Sequence, residues 1–253
     1  MSWKTYSSSD RASVSETGGP ATDTRPGPSK FRSSGLLTYP DHWWSEDWWK
    51  ELQNAGRHAD QIAKIQLPRP YPSDSKETRA ELDEILAHPT RADFESRIKE
   101  IIEENAGPPA YYHRMLLTDA GRNVQTGALI EAAVVWSRPF FFFFKHKWKR
   151  PRPMQLEPRI RPVIDCPSHP AYPSGHSTQS HLIALIMREV TGRDDIGDVL
   201  WAAADRIAQN REYAGVHYRS DSECGRELSK QLLPLFVADY RNAIDRAGAE
   251  EWG

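Results

Sequence analysis

The chain has 253 residues, with 33 Lys and Arg against 35 Asp and Glu and a formal net charge of −2. That length fits one large domain or two small ones with a full core. The even charge balance excludes a protein built as a whole to bind nucleic acid or an anionic membrane, so any anion recognition has to be local.

Residues 1–35 are rich in Ser, Thr, Gly, Pro and Asp and poor in apolar side chains, which reads as a disordered or loosely draped tail. They lack the apolar core of a secretory signal, and the expectation is a cytoplasmic protein. Residues 36–253 read as a single all-helical domain. Trp43, Trp44, Trp48 and Trp49 recur at helical spacing; they read as core packing, with a substrate lid or the contact face of a homo-oligomer as the alternatives. Amphipathic spacing predicts helices over 76–88 and 92–105, with Thr90 and Asp93 as a capping box for the second and Gly107-Pro108-Pro109 ending it. A longer helix is expected over 119–137, restarting at Pro139.

No stretch of about eighteen apolar residues occurs, so no membrane span is expected. The most apolar run, 132–144, is interrupted by Ser137, Arg138 and Pro139, and Phe140–Phe144 within it should be buried. Further helices are expected over 177–190, 195–210 and 216–247. No alternation of period two, hairpin signal or internal repeat appears, and the fold class is all-α. Cys166 and Cys224 are too few for a disulfide scaffold and lack zinc spacing, so they read as two free buried thiols, with a single disulfide pinning the two site segments as the alternative.

Three stretches carry chemistry. In Pro173-Ser174-Gly175-His176 a turn feeds an apolar helical run, leaving backbone N–H groups at a helix start, where orphan donors and helix dipole both attract an anion. Ser174 adds a hydroxyl, Gly175 a close approach to the backbone, and His176 a titratable proton. An ordinary Ser-capped helix is the bland alternative. Residues 145–153 hold six cationic or titratable side chains in their first eight positions. They suit either a solvated or nucleic-acid-binding face or a pocket in which Lys145 and a proline-fixed Arg152 bind phosphate oxygens. In 210–221, His217 and Asp221 stand four apart. On one helix face the carboxylate would fix the imidazole tautomer and leave the other ring nitrogen free to attack; a surface ion pair is the alternative.

Taken together, the stretches resemble the signature of the type 2 phosphatidic acid phosphatase superfamily, which includes bacterial class A acid phosphatases and vanadium haloperoxidases. Lys145 with Arg152-Pro153 matches K-x6-R-P, residues 173–176 match P-S-G-H, and Arg211, His217 and Asp221 match S-R-x5-H-x3-D, with Asn210 in place of the usual Ser. The resemblance implies a helical fold and a site that binds phosphate without a metal. It implies His217 as the nucleophile forming a phosphohistidine, Asp221 orienting it, and His176 as the general acid. Lys145, Arg152, Arg211, Ser174 and the Gly175 N–H would hold the phosphoryl oxygens. The expected activity is hydrolysis of a soluble phosphomonoester, without cofactor, following a bell-shaped pH profile with its optimum below neutrality. A vanadate-dependent haloperoxidase using the same residues is the alternative, which the chain's shortness disfavours. His169 and His181 read as structural, while His146, Tyr172, Tyr213 and Arg219 are candidates for the pocket wall.

Overall fold

A computed structural model describes residues 37–105, 107–118 and 121–252. The expected tail at 1–35 lies outside the described residues, all of which fall within the unit Gly35–Gly253. In chain order the helices are α1 (Glu46–Asn54), α2 (Ala59–Ile62), α3 (Lys76–Ala87), α4 (Phe94–Glu104), α5 (Pro108–Met115), α6 (Val124–Trp148), α7 (Pro153–Leu156), α8 (Gly175–Thr191), α9 (Asp194–Tyr213) and α10 (Arg219–Gly248). The fold is all-α, and no strand occurs among the described residues.

The core forms where α8 packs against both α9 and α10 while α6 packs against α8, α10 and α1. Leu129, Ile130, Ala133 and Phe140 of α6 meet Leu182, Ile183 and Ile186 of α8 and Leu228, Leu232 and Phe236 of α10. Each Leu, Ile and Phe among them contributes about 1.5–3 kcal/mol on full burial, enough for this apolar seam to fix the helices that carry the site. Close packing of α10 on the start of α8 needs Gly225, since a Cβ there would lie 2.7 Å from the Ser174 carbonyl oxygen.

Several local expectations are corrected. Thr90 and Asp93 form no capping box: the Thr90 hydroxyl donates to the Ala87 carbonyl at 2.8 Å. Asp93 instead binds Arg97 Nε at 2.7 Å, because a buried guanidinium is the stronger partner. Pro139 starts no new helix; α6 runs through it. The carbonyl that loses its partner there belongs to Val135, a residue 57 % exposed. The last helix begins at Arg219 rather than near 216, so His217 precedes it. Of the two free thiols, Cys224 is buried and Cys166 exposed.

The expected absence of a membrane span is also overturned. The segment Val124–Leu156, most of it α6, is long and apolar enough to cross a bilayer, with a mean hydropathy of 1.4 over its most apolar window, of which 56 % is buried within the chain. Ser137, Arg138 and Pro139 interrupt the apolar run in the sequence but not the helix, which is what length and composition test.

Candidate active site

Arg152, Gly175, His176, Arg211 and His217 line one cavity of about 550 Å³. Each arrives by a different local device. Arg152 is held extended between Pro151 and the start of α7. Its fully buried guanidinium donates from Nη1 to the Val216 carbonyl at 2.7 Å and from Nε to the His169 carbonyl at 3.0 Å. Gly175 and His176 open α8, where their N–H groups have no intrahelical partner. A Cβ at Gly175 would meet the Phe141 ring at 3.2 Å, so glycine keeps this backbone edge accessible. Arg211 comes from the last turn of α9 and is 1 % exposed. Its Nη2 makes a 3.4 Å contact to the Asn105 side chain, while Nε and Nη1 have no protein partner.

His217 lies in the turn between α9 and α10, reached through Gly215 at φ 74°. The left-handed residue suits glycine, and a Cβ there would touch Ile160 at 3.0 Å. His217 Nδ1 donates to Asp221 Oδ2 at 2.9 Å, and the same oxygen accepts the Tyr218 N–H at 3.0 Å. The pair is therefore built by a carboxylate reaching back from the first turn of α10, not by two residues on one helix face. Arg152 Nη1 lies 2.9 Å from His217 Nε2. A guanidinium can only donate, so Nε2 carries the lone pair and Nδ1 the proton. His176 Nε2 donates to the Glu104 carbonyl at 3.2 Å.

Electrostatically the cavity disfavours further positive charge. Burial, then Arg152, Lys145 and Arg211, holds His217 well below the ordinary histidine range. Burial, then Arg211, does the same to His176, against the Glu104 carbonyl. Burial also lowers Arg211, to about 10. Nearby, burial raises Glu104 to about 7 even though Asn210 Nδ2 donates to both its oxygens at 3.0 and 3.1 Å. Asn210, at the position where Ser is usual, thus ties α9 to α4 rather than facing the cavity.

Two expected anion ligands do not line the cavity. Lys145 is fully buried beneath it, its ammonium donating to the Pro170 and Ala171 carbonyls at 2.8 and 3.0 Å, just before the Pro-Ser-Gly-His turn. The Ser174 hydroxyl accepts the Ser177 N–H at 3.4 Å as the N-cap of α8. Of the wall candidates, His146, Tyr172, Tyr213 and Arg219 do not line the cavity, whereas His169, read as structural, does. His169 Nδ1 is 3.1 Å from Arg152 Nη2, and its ring meets Trp48 and Phe142 edge-on. No spacing rule marks it, since it lies outside the three stretches. The tryptophan segment divides: Trp44 is buried in the core, Trp48 lines the cavity, and Trp43 is exposed. Phe141 and Phe142 also reach the cavity wall.

His181 belongs elsewhere. It is fully buried, its Nδ1 bonds the Ser177 carbonyl at 2.7 Å and its Nε2 faces Asp205 at 3.1 Å. Ser177, His181 and Asp205 have the composition of a nucleophilic triad. The buried Ser177 hydroxyl is nevertheless committed to the Ser222 carbonyl at 2.7 Å, so the group is a packing contact among α8, α9 and α10.

Residues 127–244 match the family model of the PAP2 superfamily. The fold is similar to that of the first bacterial vanadium-dependent iodoperoxidase, with a TM-score of 0.53 and 20% identity over 69% of this chain and 52% of that one. This chain thus spans about half of that protein's length, at 52%. A transmembrane PAP2-type phosphatidylglycerolphosphate phosphatase from Bacillus subtilis is similar with a TM-score of 0.49 and 17% identity, over 77% of this chain and 97% of that one. At 20% identity the likeness to the iodoperoxidase concerns the fold. The expected absence of a span is withdrawn on the length and apolarity of Val124–Leu156 alone. No curated protein matches the chain.

Proposed function

From a chain whose residues 127–244 form a PAP2-superfamily domain, we propose that the protein hydrolyses a phosphomonoester through a phosphohistidine at His217. One observation carries the reading. His217 has its Nδ1 proton fixed on Asp221 and its Nε2 lone pair, which accepts from Arg152 Nη1 at 2.9 Å, at the wall of a cavity where Arg211 keeps two buried N–H-bearing nitrogens without protein partners. Buried unpaired donors of this kind are costly, and phosphoryl oxygens would satisfy them.

In this reading Arg152, Arg211 and the amides opening α8 hold the three non-bridging oxygens. Nε2 of His217 attacks phosphorus as the bond to the leaving oxygen breaks, and His176 gives that oxygen a proton. Water then attacks the phosphohistidine, returning its proton to His176 and releasing phosphate with His217 neutral. Asp221 stabilises the imidazole while it is charged. Lys145 acts from below, bracing the turn that carries Ser174 and Gly175. The reaction needs no cofactor, since the nucleophile and the charge stabilisation come from side chains. Vanadate would fit the same donors, because Nε2 and the two guanidinium groups suit a phosphate-like oxyanion.

The test is p-nitrophenyl phosphate turnover measured beside bromide oxidation with vanadate and peroxide. Hydrolysis lost in His217→Ala and inhibited competitively by vanadate is the expected result. Halide oxidation without hydrolysis would replace this reading with the haloperoxidase one.

A further inference from the structure

We infer that Glu81, on α3 and outside the family-matched residues, is a positioning residue for the His217–Asp221 pair and acts through Arg150. The inference rests on the phosphoryl-transfer reading above and assigns that site a support it was not known to have. The two Asp221 oxygens divide their work. Oδ2 accepts His217 Nδ1 and the Tyr218 N–H, and Oδ1 accepts Arg150 Nη1 at 2.6 Å. Arg150 Nη2 donates to Glu81 Oε2 at 2.7 Å, and Nη1 reaches the Ser220 hydroxyl at 2.8 Å. The other Glu81 oxygen, Oε1, accepts the Ser220 N–H at 2.7 Å. One carboxylate on α3 thus grips both the cation behind Asp221 and the backbone at the start of α10 that carries Asp221.

The arrangement is rigid as well as connected. Arg150 is 3 % exposed and its guanidinium lies 3.8 Å over the Tyr218 ring, so its plane is fixed by a stack and by two carboxylates. A carboxylate bonded through one oxygen alone can swing about its terminal torsion, which is soft. With Oδ1 held by Arg150, Asp221 presents Oδ2 to His217 in a single orientation. Buried ion clusters of this kind are weak stabilisers, because desolvation offsets their attraction. Orienting the pair explains the cluster where stability does not. In metal sites the outer partners that orient a ligating histidine change activity about 10- to 100-fold when removed, and Arg150 and Glu81 stand in the same relation to the His217–Asp221 pair.

The experiment uses the full chain with Glu81→Gln, Arg150→Gln and Arg150→Lys, reading p-nitrophenyl phosphate kinetics and the ring nitrogens of ¹⁵N-labelled histidines. Glu81→Gln should lower kcat by about 10-fold or more while KM stays within about twofold. Its His217 Nδ1–H signal should shift and broaden as the bond to Asp221 Oδ2 loosens, while Arg152 on Nε2 keeps the tautomer. Arg150→Lys should retain more activity than Arg150→Gln. An unchanged kcat in folded Glu81→Gln, or a rise in KM alone, overturns the inference. Should Arg150→Gln fail to fold, the near-isosteric Glu81→Gln decides alone. Should the wild type prove inactive, the phosphatase reading fails separately, and the histidine signals still decide: an unaltered His217 Nδ1–H signal in Glu81→Gln overturns the positioning role, and a shifted, broadened one upholds it.

Discussion

Arg152 Nη1 donates into the lone pair of His217 Nε2 across 2.9 Å, so the cation expected to hold substrate also occupies the atom expected to attack it. An oxyanion that draws the guanidinium onto itself would uncover the nucleophile as it binds. Arg152→Ala should therefore lower kcat/KM by about 10²-fold or more, the cost of losing one preorganised donor. The same variant should react faster than wild type with diethyl pyrocarbonate at His217, read by peptide mass analysis. Slower modification would contradict the masking contact.

Arg211 presents the opposite balance. Its two unpartnered nitrogens are buried at a cost of about 1–3 kcal/mol each when nothing satisfies them. Arg211→Met should leave thermal stability equal or raised, while KM for p-nitrophenyl phosphate increases at least about tenfold, the equivalent of one 1.4 kcal/mol interaction. Loss of stability with KM unchanged would place Arg211 in the scaffold instead.

The pH dependence follows from two histidines held below their ordinary range by burial and by neighbouring cations. Both are neutral in the free protein at neutral pH, and His176 has to gain a proton to act as the acid. A bound dianion offsets Arg211 and Arg152, which raises His176, so binding takes up a proton and tightens as pH falls. Sulfate, whose charge is constant over this range, should inhibit more strongly at pH 5.5 than at pH 8, and kcat/KM should peak on the acid side of neutrality. An inhibition constant independent of pH would contradict the assignment of His176.

The Glu104 side chain gives a stability test that does not depend on turnover. Its folded pKa, about 7, stands above the ordinary carboxylate value chiefly through burial. The unfavourable ionisation therefore begins above the unfolded value and is complete above about pH 7. Glu104→Gln should gain stability relative to wild type as pH rises from 5 to 8, by no more than about 3 kcal/mol. Denaturant unfolding at the two pH values measures this, and an equal difference at both would refute the assigned cause.

The fold class was legible because the helices bury periodic apolar faces: 76–88 was expected and Lys76–Ala87 is found, and Gly192 ends α8 at φ 61°. The convergence of Arg152, Gly175, His176, Arg211 and His217 on one cavity was legible because short fixed spacings carry them. Glu81, Arg150 and His169 were not, since each acts through a tertiary contact with no local period. Glu81 reaches Arg150 across 69 positions of sequence. Lys145 and Ser174 stand off the cavity lining for a related reason. A spacing identifies which residues stand near a turn, while the nearest carbonyl or amide decides where a side chain ends.

The most direct test is rapid quench of p-nitrophenyl phosphate turnover in base, followed by peptide mass analysis. The account predicts one phosphoryl group on the peptide carrying His217, absent from His217→Ala, which releases no p-nitrophenol. A phosphoryl group on any other residue, or undiminished turnover in His217→Ala, would contradict it.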